Sequence, residues 1–443
     1  MDENFIIGQD FGGTTEIHPL ALGFTLFMGM LIIVLPRKSA VLALIIAGVF
    51  IPIRQRIVIA SLDFYMLRIL VMIGWCRILM RSEFRSIRLN AIDIVIILWA
   101  VSGIVTYTIL WQTSSAFFNR MGLAFDTLGV YFLFRFFIQR LDDVNHIIKV
   151  LVAVSLLFMC CMMLERATGR NLFSIFGGVP EITVIRDGRL RCQGPFMHPI
   201  LAGSFGAALM PLFIALNGQG RKSRVFMILG GIAATAITAL SSSSGPILAY
   251  LAGLLAFSMW PLRRDMRVVQ WSVVCCLIAL QIFMNAPLYA LIMRVKVIGA
   301  STGYHRYFLI DEFIKHFHEW WLFGIRYTSN WGRYLFDVTN QYIRIGVDGG
   351  IVTLGLFLLS IILAFKNIGR QIKATQYFPR EQILVWGIGA SLFTHLVSFM
   401  SVSYFDQIII IWYMTLGIIA SLDTIIDRVF NRAVFISSSR GTS

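Results

Sequence analysis

The chain is a near-continuous succession of apolar runs, and many of them reach the roughly 17 residues that a helix needs to cross a hydrocarbon core. In lipid every backbone N–H and C=O must be satisfied within the protein, which leaves helices or a closed barrel. A barrel would show short alternating segments, and these runs do not alternate. Composition agrees: 58% of the 443 residues are hydrophobic and 14% are charged, against about a quarter charged in a soluble domain. The sequence predicts an all-α, polytopic helical membrane protein forming one integral membrane domain.

The net charge of +15 lies mostly in short loops, where it orients helices, so no nucleic-acid partner is implied. The six cysteines have no metal spacing; only Cys192 falls in an external loop, and no disulfide framework follows. The N-terminus carries Asp2, Glu3, Asp10 and Glu16 without a basic n-region, so no cleavable signal peptide is expected. Hydropathy places thirteen spans at 19–36, 40–53, 58–80, 91–110, 121–138, 147–164, 199–217, 225–240, 247–260, 268–286, 344–365, 383–403 and 407–422. The basic turns 81–88, 218–224, 261–267 and 366–373 belong inside, which leaves the acidic N-terminus outside. If the short second run is re-entrant, the count is twelve and the N-terminus is inside.

Two external loops break the charge rule. Loop 165–198 holds Arg166, Arg170, Arg186, Arg189 and Arg191. Loop 287–343 holds Arg294, Lys296, Arg306, Lys315, Arg326 and Arg333, with Arg344 just beyond, and the histidines His305, His316 and His318. One reading is contact with lipid headgroups. The other is an anion site, because a guanidinium stays charged and pairs bidentately with phosphate oxygens. Arg189 and Arg191, followed by Gly194–Pro195, suit a pyrophosphate; Arg186 and His198 are further candidate contacts. Residues 303–323 have helical periodicity, with Leu309, Phe313, Phe317, Trp320 and Trp321 forming a stripe expected at the lipid boundary or against the bundle. Asp311, Glu312 and His305 are candidate proton acceptors. No paired-Cys or HExxH motif suggests a metal. The serines of 241–246 (SSSSGP) read as a helix start with serine caps or, less simply, as the lining of a sugar path.

Three segments carry a resemblance: RCQGPFMHPILAGSFGAALMPLF (191–213), HFHEWWLFGIRY (316–327) and TNQYIRIGVDGGIVTLGLF (339–357). In this order and spacing they resemble the GPF-x-HP, hPlfGvG and HN-x-YL…E-x-G segments of the O-antigen polymerase and ligase family of bacterial membrane proteins. The resemblance implies a GT-C-like helical glycosyltransferase of the inner membrane, related in fold to the SEDS polymerases, with its active side in the periplasm. It implies a donor glycan on undecaprenyl pyrophosphate, a lipid-linked glycan acceptor, surrounding membrane lipids, a chain-length regulator as a further partner, and no metal or other cofactor. Carried over by position, Arg189 or Arg191 and Arg306 contact the pyrophosphate. Arg326, Asn340, Gln341, Tyr342 and Arg344 fall on or beside the matching segments as substrate contacts. The ligases have a histidine where this chain has Thr339, which favours a polymerase over a ligase that transfers to lipid A–core. A transporter of lipid-linked sugars would show repeats and deep ionisable residues; Asp63, Arg68, Asp126 and Arg135 lie in or near spans, but no repeat is visible. A non-catalytic scaffold has no use for so many external arginines.

Overall fold

The computed structural model describes residues 15–59, 62–86, 88–294, 303–332, 334–405 and 407–440. Asp2, Glu3, Asp10, Lys296 and Arg333 lie outside them. The helices, in order, are α1 (Pro19–Val34), α2 (Arg37–Phe50), α3 (Met66–Met80), α4 (Ala91–Trp111), α5 (Ser114–Phe137), α6 (Leu141–Thr168), α7 (Pro199–Ala215) and α8 (Arg221–Leu240). Then come α9 (Ser244–Ser258), α10 (Met266–Phe283), α11 (Leu291–Arg294), α12 (Gly303–Lys315), α13 (Phe317–Trp320), α14 (Gln341–Ala374), α15 (Pro379–Phe399) and α16 (Ile408–Arg440). Two antiparallel hairpins complete the fold: β1 (Arg56–Ile59) with β2 (Leu62–Tyr65), and β3 (Val184–Arg186) with β4 (Arg189–Arg191).

Each of the thirteen predicted spans corresponds to one of α1–α10 or α14–α16. Among the described residues, eight helices are long and apolar enough to cross a membrane: α4, α6, α7, α8, α10, α14, α15 and α16. The other five are shorter or, like α5, interrupted by charge at Arg120, Asp126 and Arg135. The third span needs correction. Residues 58–59 and 62–65, expected in a helix, lie in strands, and the helix starts at Met66. The β-branched run Ile57–Val58–Ile59 prefers the pleated conformation.

Hydrogen bonds sort the connections onto two faces. On the upper face the His18 amide donates to Gln55 (2.7 Å), Gln407 Nε2 donates to Ile51 O (3.1 Å) and Pro195 O (2.8 Å), and Arg326 Nε donates to Leu110 O (2.9 Å). On the lower face Arg37 pairs with Asp143 (3.2 Å), Gln219 donates to Arg380 O (2.7 Å) and Arg263 donates to Gln382 (3.2 Å). Helix α2 therefore joins the Asp143 face to the Gln407 face, as a span does, despite its 14 residues. The basic turns fall on the lower face, and both arginine-rich loops fall on the upper one.

Small residues bring the central helices together. A β-carbon on Gly206 of α7 would lie 2.8 Å from Ala234 O of α8, and one on Gly387 of α15 would lie 3.0 Å from Pro211 O of α7. Helix α14 is broken at Gly350 (φ 74°, ψ −174°). The loop segment 321–325 fills the break: Ile351 N donates to Trp321 O (2.7 Å), and Ile325 N donates to Val347 O (2.7 Å). A break inside a membrane helix frees backbone polar groups, and here another segment of the chain satisfies them. The second and third resemblance segments thus meet, the WWLFGI strip seated in the DGG notch.

The predicted helix 303–323 is divided at His316 into α12 and α13. Its apolar stripe packs largely on protein. Leu309 and Trp320 are buried, Phe313 stacks on Trp320 at 4.0 Å, and both rings press on Gly346 of α14. Phe317 and Trp321 remain exposed.

Candidate functional site

Loop 165–198 is shaped around a buried carboxylate. Glu165, at the end of α6, accepts from Gly194 N (2.8 Å), Gln193 N (3.1 Å) and Thr183 Oγ1 (3.2 Å). These bonds hold the turn that Gly194 makes at φ +57°, where a β-carbon would strike Phe158. Upstream, Asp187 and Gly188 both have positive φ (50° and 70°) and close the two-residue turn of the β3–β4 hairpin. An Asp-Gly pair between Val184–Arg186 and Arg189–Arg191 was the sequence signal for this hairpin.

Strand β4 is then sutured to the turn between α8 and α9. Cys192 N donates to Leu240 O (3.1 Å), Ser242 Oγ donates to Leu190 O (2.9 Å), and Arg191 Nη2 donates to Ser243 Oγ (2.8 Å). Ser242 takes a left-handed conformation, φ 44°, of the kind that persists where surrounding contacts enforce it. Ser243 is the N-cap of α9, yet its side chain makes no capping bond. The serine-cap expectation for 241–246 is thus right about the helix start and wrong about the hydroxyl, which receives Arg191.

Arg306 arrives from the other loop. It projects from α12 to the same helix start: a β-carbon on Gly245 would lie 3.4 Å from Arg306 Nη2 and would collide with Ser401 Oγ. Two guanidinium groups from two loops therefore meet at the first turn of α9. A helix N-terminus adds its own partial positive charge and free N–H groups, a natural seat for an anion.

The electrostatics agree. Arg191 is 7% exposed, its Nε has no partner among the described residues, and its pKa is lowered by desolvation and by Arg186, with Asp187 opposing. Desolvation and Arg186 also push Arg306 down to about 10. His198 caps α7 by accepting from Ile200 N (3.1 Å); burial, Arg191 and Arg186 push its imidazole down to about 4. Among the described residues neither Arg191 nor Arg306 has an ion pair with a carboxylate. The site is a positively charged cluster of Arg191, Arg306, Ser243 and the start of α9, with neutral His198 beside it and, at the exposed rim, Arg186, which pairs with Asp187 at 4.0 Å.

The remaining predicted residues lie elsewhere. Arg189 is exposed, Arg170 pairs with Glu181 on the surface, and Arg166 donates to Leu190 O (2.9 Å). Asp311 accepts from Tyr289 (2.8 Å) and Lys315 (2.7 Å), and Lys315 also pairs with Glu312 (2.9 Å). The Lys315 hydrogen bond holds the Asp311 carboxyl below its usual range, and neither carboxylate is in contact with Arg306. Arg326 lies over Trp111. Asn340 caps α14 by accepting from Tyr342 N (3.0 Å), Gln341 accepts from Tyr404 N (2.6 Å), and Tyr342 donates to Leu396 O (3.1 Å). Arg344 pairs with Asp348 (2.9 Å).

His305 adjoins Arg306 on α12, and its Nε2 lies 3.2 Å from Asp337 O. The Asp337 carboxyl, which sequence reasoning passed over, reaches solvent. Desolvation by nearby protein raises its pKa, with His305 and Arg344 opposing. Glu165 was also missed, and Ser243 and Gly245 were read only as part of the 241–246 helix start, because their roles here depend on contacts across 28, 52 and 61 residues of chain.

No family model matches the chain, and no curated protein matches it.

Proposed function

We propose that the chain is a bacterial polysaccharide polymerase of the cytoplasmic membrane. In this reading it transfers a glycan from an undecaprenyl-pyrophosphate donor to a lipid-linked glycan acceptor, on the periplasmic side, without a metal. The observation that carries the reading is the meeting of Arg191 and Arg306 at the start of α9. Membership of the polymerase and ligase family rests on the three sequence segments alone.

An acceptor hydroxyl attacks the donor's anomeric carbon, forming the new C–O bond. The bond from that carbon to the pyrophosphate oxygen breaks, and undecaprenyl pyrophosphate leaves with the bonding electrons. Negative charge grows on the leaving oxygen, where Arg191, Arg306 and Arg186 are aimed. Fixed cations in a site poor in water stabilise that charge without reorganising. A base takes the hydroxyl proton. His305, which precedes Arg306 on α12, and Asp337, which adjoins His305, are the groups left for this role, since Asp311 and Glu312 are held by Lys315.

The test is the lipid-linked glycan pool of a deletion strain complemented with wild type, Arg191→Ala or Arg306→Ala, with insertion verified. Single repeats accumulating on the carrier in both variants support the reading. Long chains stranded on the carrier identify a ligase instead, and normal polymer in both variants removes the arginine assignment.

A further inference from the structure

A second polar cluster lies away from the start of α9, at the upper ends of α4, α5 and α14. Arg120 of α5 and Arg344 of α14 both pair with Asp348 Oδ2, at 2.8 and 2.9 Å. Two cations share one carboxylate, so these three side chains carry a net charge of +1, with the Asp337 carboxyl also within electrostatic reach of Arg344. Arg120 also lies 3.8 Å over the Tyr107 ring, and its buried Nε has no partner among the described residues. Tyr107, Trp111 and Tyr327 form a chain of ring contacts here, the aromatic composition typical of the headgroup level.

Below the cluster an open groove runs between α4, α5 and α14, with a cavity volume of about 80 Å³. Its walls are mostly apolar: Trp99, Gly103, Ile104, Leu123, Ala124 and Ile345. From Arg120 to Thr127 at its lower end is about two turns of helix, roughly 10 Å of depth. Leu123 is exposed, so the groove opens sideways, toward lipid. The hydroxyls at the bottom are already paired, Ser102 with Thr353 (2.7 Å) and Thr127 with Tyr413 (3.1 Å). Trp99 Nε1, like Arg120 Nε, is a buried donor without a partner among the described residues. A β-carbon on Gly103 would meet nothing within 4 Å. The occupant therefore needs an anionic, acceptor-rich head and a slender apolar tail.

We propose that this groove binds an anionic phospholipid of the bilayer, its phosphate seated on Arg120 and Arg344 and one acyl chain lying along α4 and α5. The inference goes beyond the transferase reading and stands without it. The bound lipid would fill the space between α5 and the broken helix α14, so bilayer composition would bear on the stability of the upper face.

The test uses the full chain in phosphatidylcholine nanodiscs doped with a phospholipid bearing a diazirine on one acyl chain. The headgroup is phosphatidylglycerol in one arm and phosphatidylcholine in the other. Cross-links mapped by mass spectrometry are expected on residues 99–104 and 120–127, several-fold stronger for phosphatidylglycerol. Arg344→Gln, which leaves Arg120 and Asp348 as a neutral pair, should bring the two arms level. Gly103→Trp and the milder Gly103→Leu put a side chain into the groove from a position where an added β-carbon meets nothing within 4 Å, and should weaken the labelling, Trp more than Leu. Equal labelling of the two lipids in the wild type overturns the proposal. So does labelling that survives undiminished in both Gly103 variants with unchanged melting.

Discussion

Arg135 and Arg191 are both buried, and the chain treats them in opposite ways. Arg135, in the lower half of α5, gives Nε and Nη2 to the two oxygens of Asp93 (2.9 and 2.7 Å) and Nη1 to Ser421 Oγ (3.1 Å). Arg68 with Asp126 and Arg77 with Glu83 follow the same pattern. Arg191 has a serine hydroxyl, an Nε unpartnered among the described residues and the repulsion of Arg186. A buried charge is tolerated when its counter-charge is built in. Where the chain omits the counter-charge and adds further cations, the arrangement is suited to an anion that comes from outside.

The largest expected effect falls on the paired side of this comparison. Arg135→Ala leaves Asp93 buried without its counter-charge, with only the Tyr131 hydroxyl (2.6 Å) and the Asn90 amide (2.8 Å) donating to it, a loss of about 3–5 kcal/mol. Its readout is failure to accumulate as a folded, monodisperse protein in detergent. Arg191→Ala should instead fold and lose function. Removing one fixed donor from a developing anion costs about 10²–10³ in turnover, measured as polymer extension per inserted molecule. If Arg191→Ala unfolds and Arg135→Ala does not, the comparison is broken.

Backbone positions come next. Gly350→Ala forces φ 74° on a residue whose β-carbon would strike the Leu322 carbonyl. A loss of about 1–3 kcal/mol is expected, read as a lower melting temperature and as faster proteolysis of the 321–325 segment. Glu165→Gln should cost a similar about 1–3 kcal/mol by leaving part of the Gln193–Gly194 turn unsatisfied. It should also lower turnover more than it raises KM, because β4 then presents Arg191 poorly.

A smaller effect is titration of His198. Its folded pKa, about 4, lies below the ordinary 6.5. The unfolded chain therefore binds more protons between those values, and the ligand-free protein should lose stability as pH falls from 6.5 toward 4. A bound diphosphate offsets the repulsion from Arg191 and Arg186 and raises that pKa. Diphosphate binding should then take up protons and tighten several-fold from pH 7 to pH 5, an effect absent in His198→Asn. The smallest effect is Arg170→Ala: its exposed pair with Glu181 should contribute no more than about 1 kcal/mol, with turnover unchanged.

The fold was legible where the signal is local. Bilayer-length apolar runs located the helices, and basic turns located one face. Residues 58–65 misled because an apolar β-branched run reads alike as strand or helix start when periodicity is short. The site was half legible. The excess of arginine in two loops marked both loops, but which arginines matter was decided by partners distant in sequence. Glu181 takes Arg170 out, Lys315 occupies Asp311 and Glu312, and Ser243 and Gly245 draw Arg191 and Arg306 together. The segment resembling hPlfGvG acquires a physical meaning only in three dimensions, as the plug of the Gly350 break.

The central claim is that Arg191 and Arg306 await a diphosphate. It is tested most directly by thermal unfolding of the purified protein with and without undecaprenyl pyrophosphate, since a ligand that binds only the folded state raises the midpoint. A rise in the wild type and in Arg170→Ala, absent in both Arg191→Ala and Arg306→Ala, is the predicted result. The same rise in all four proteins would contradict it.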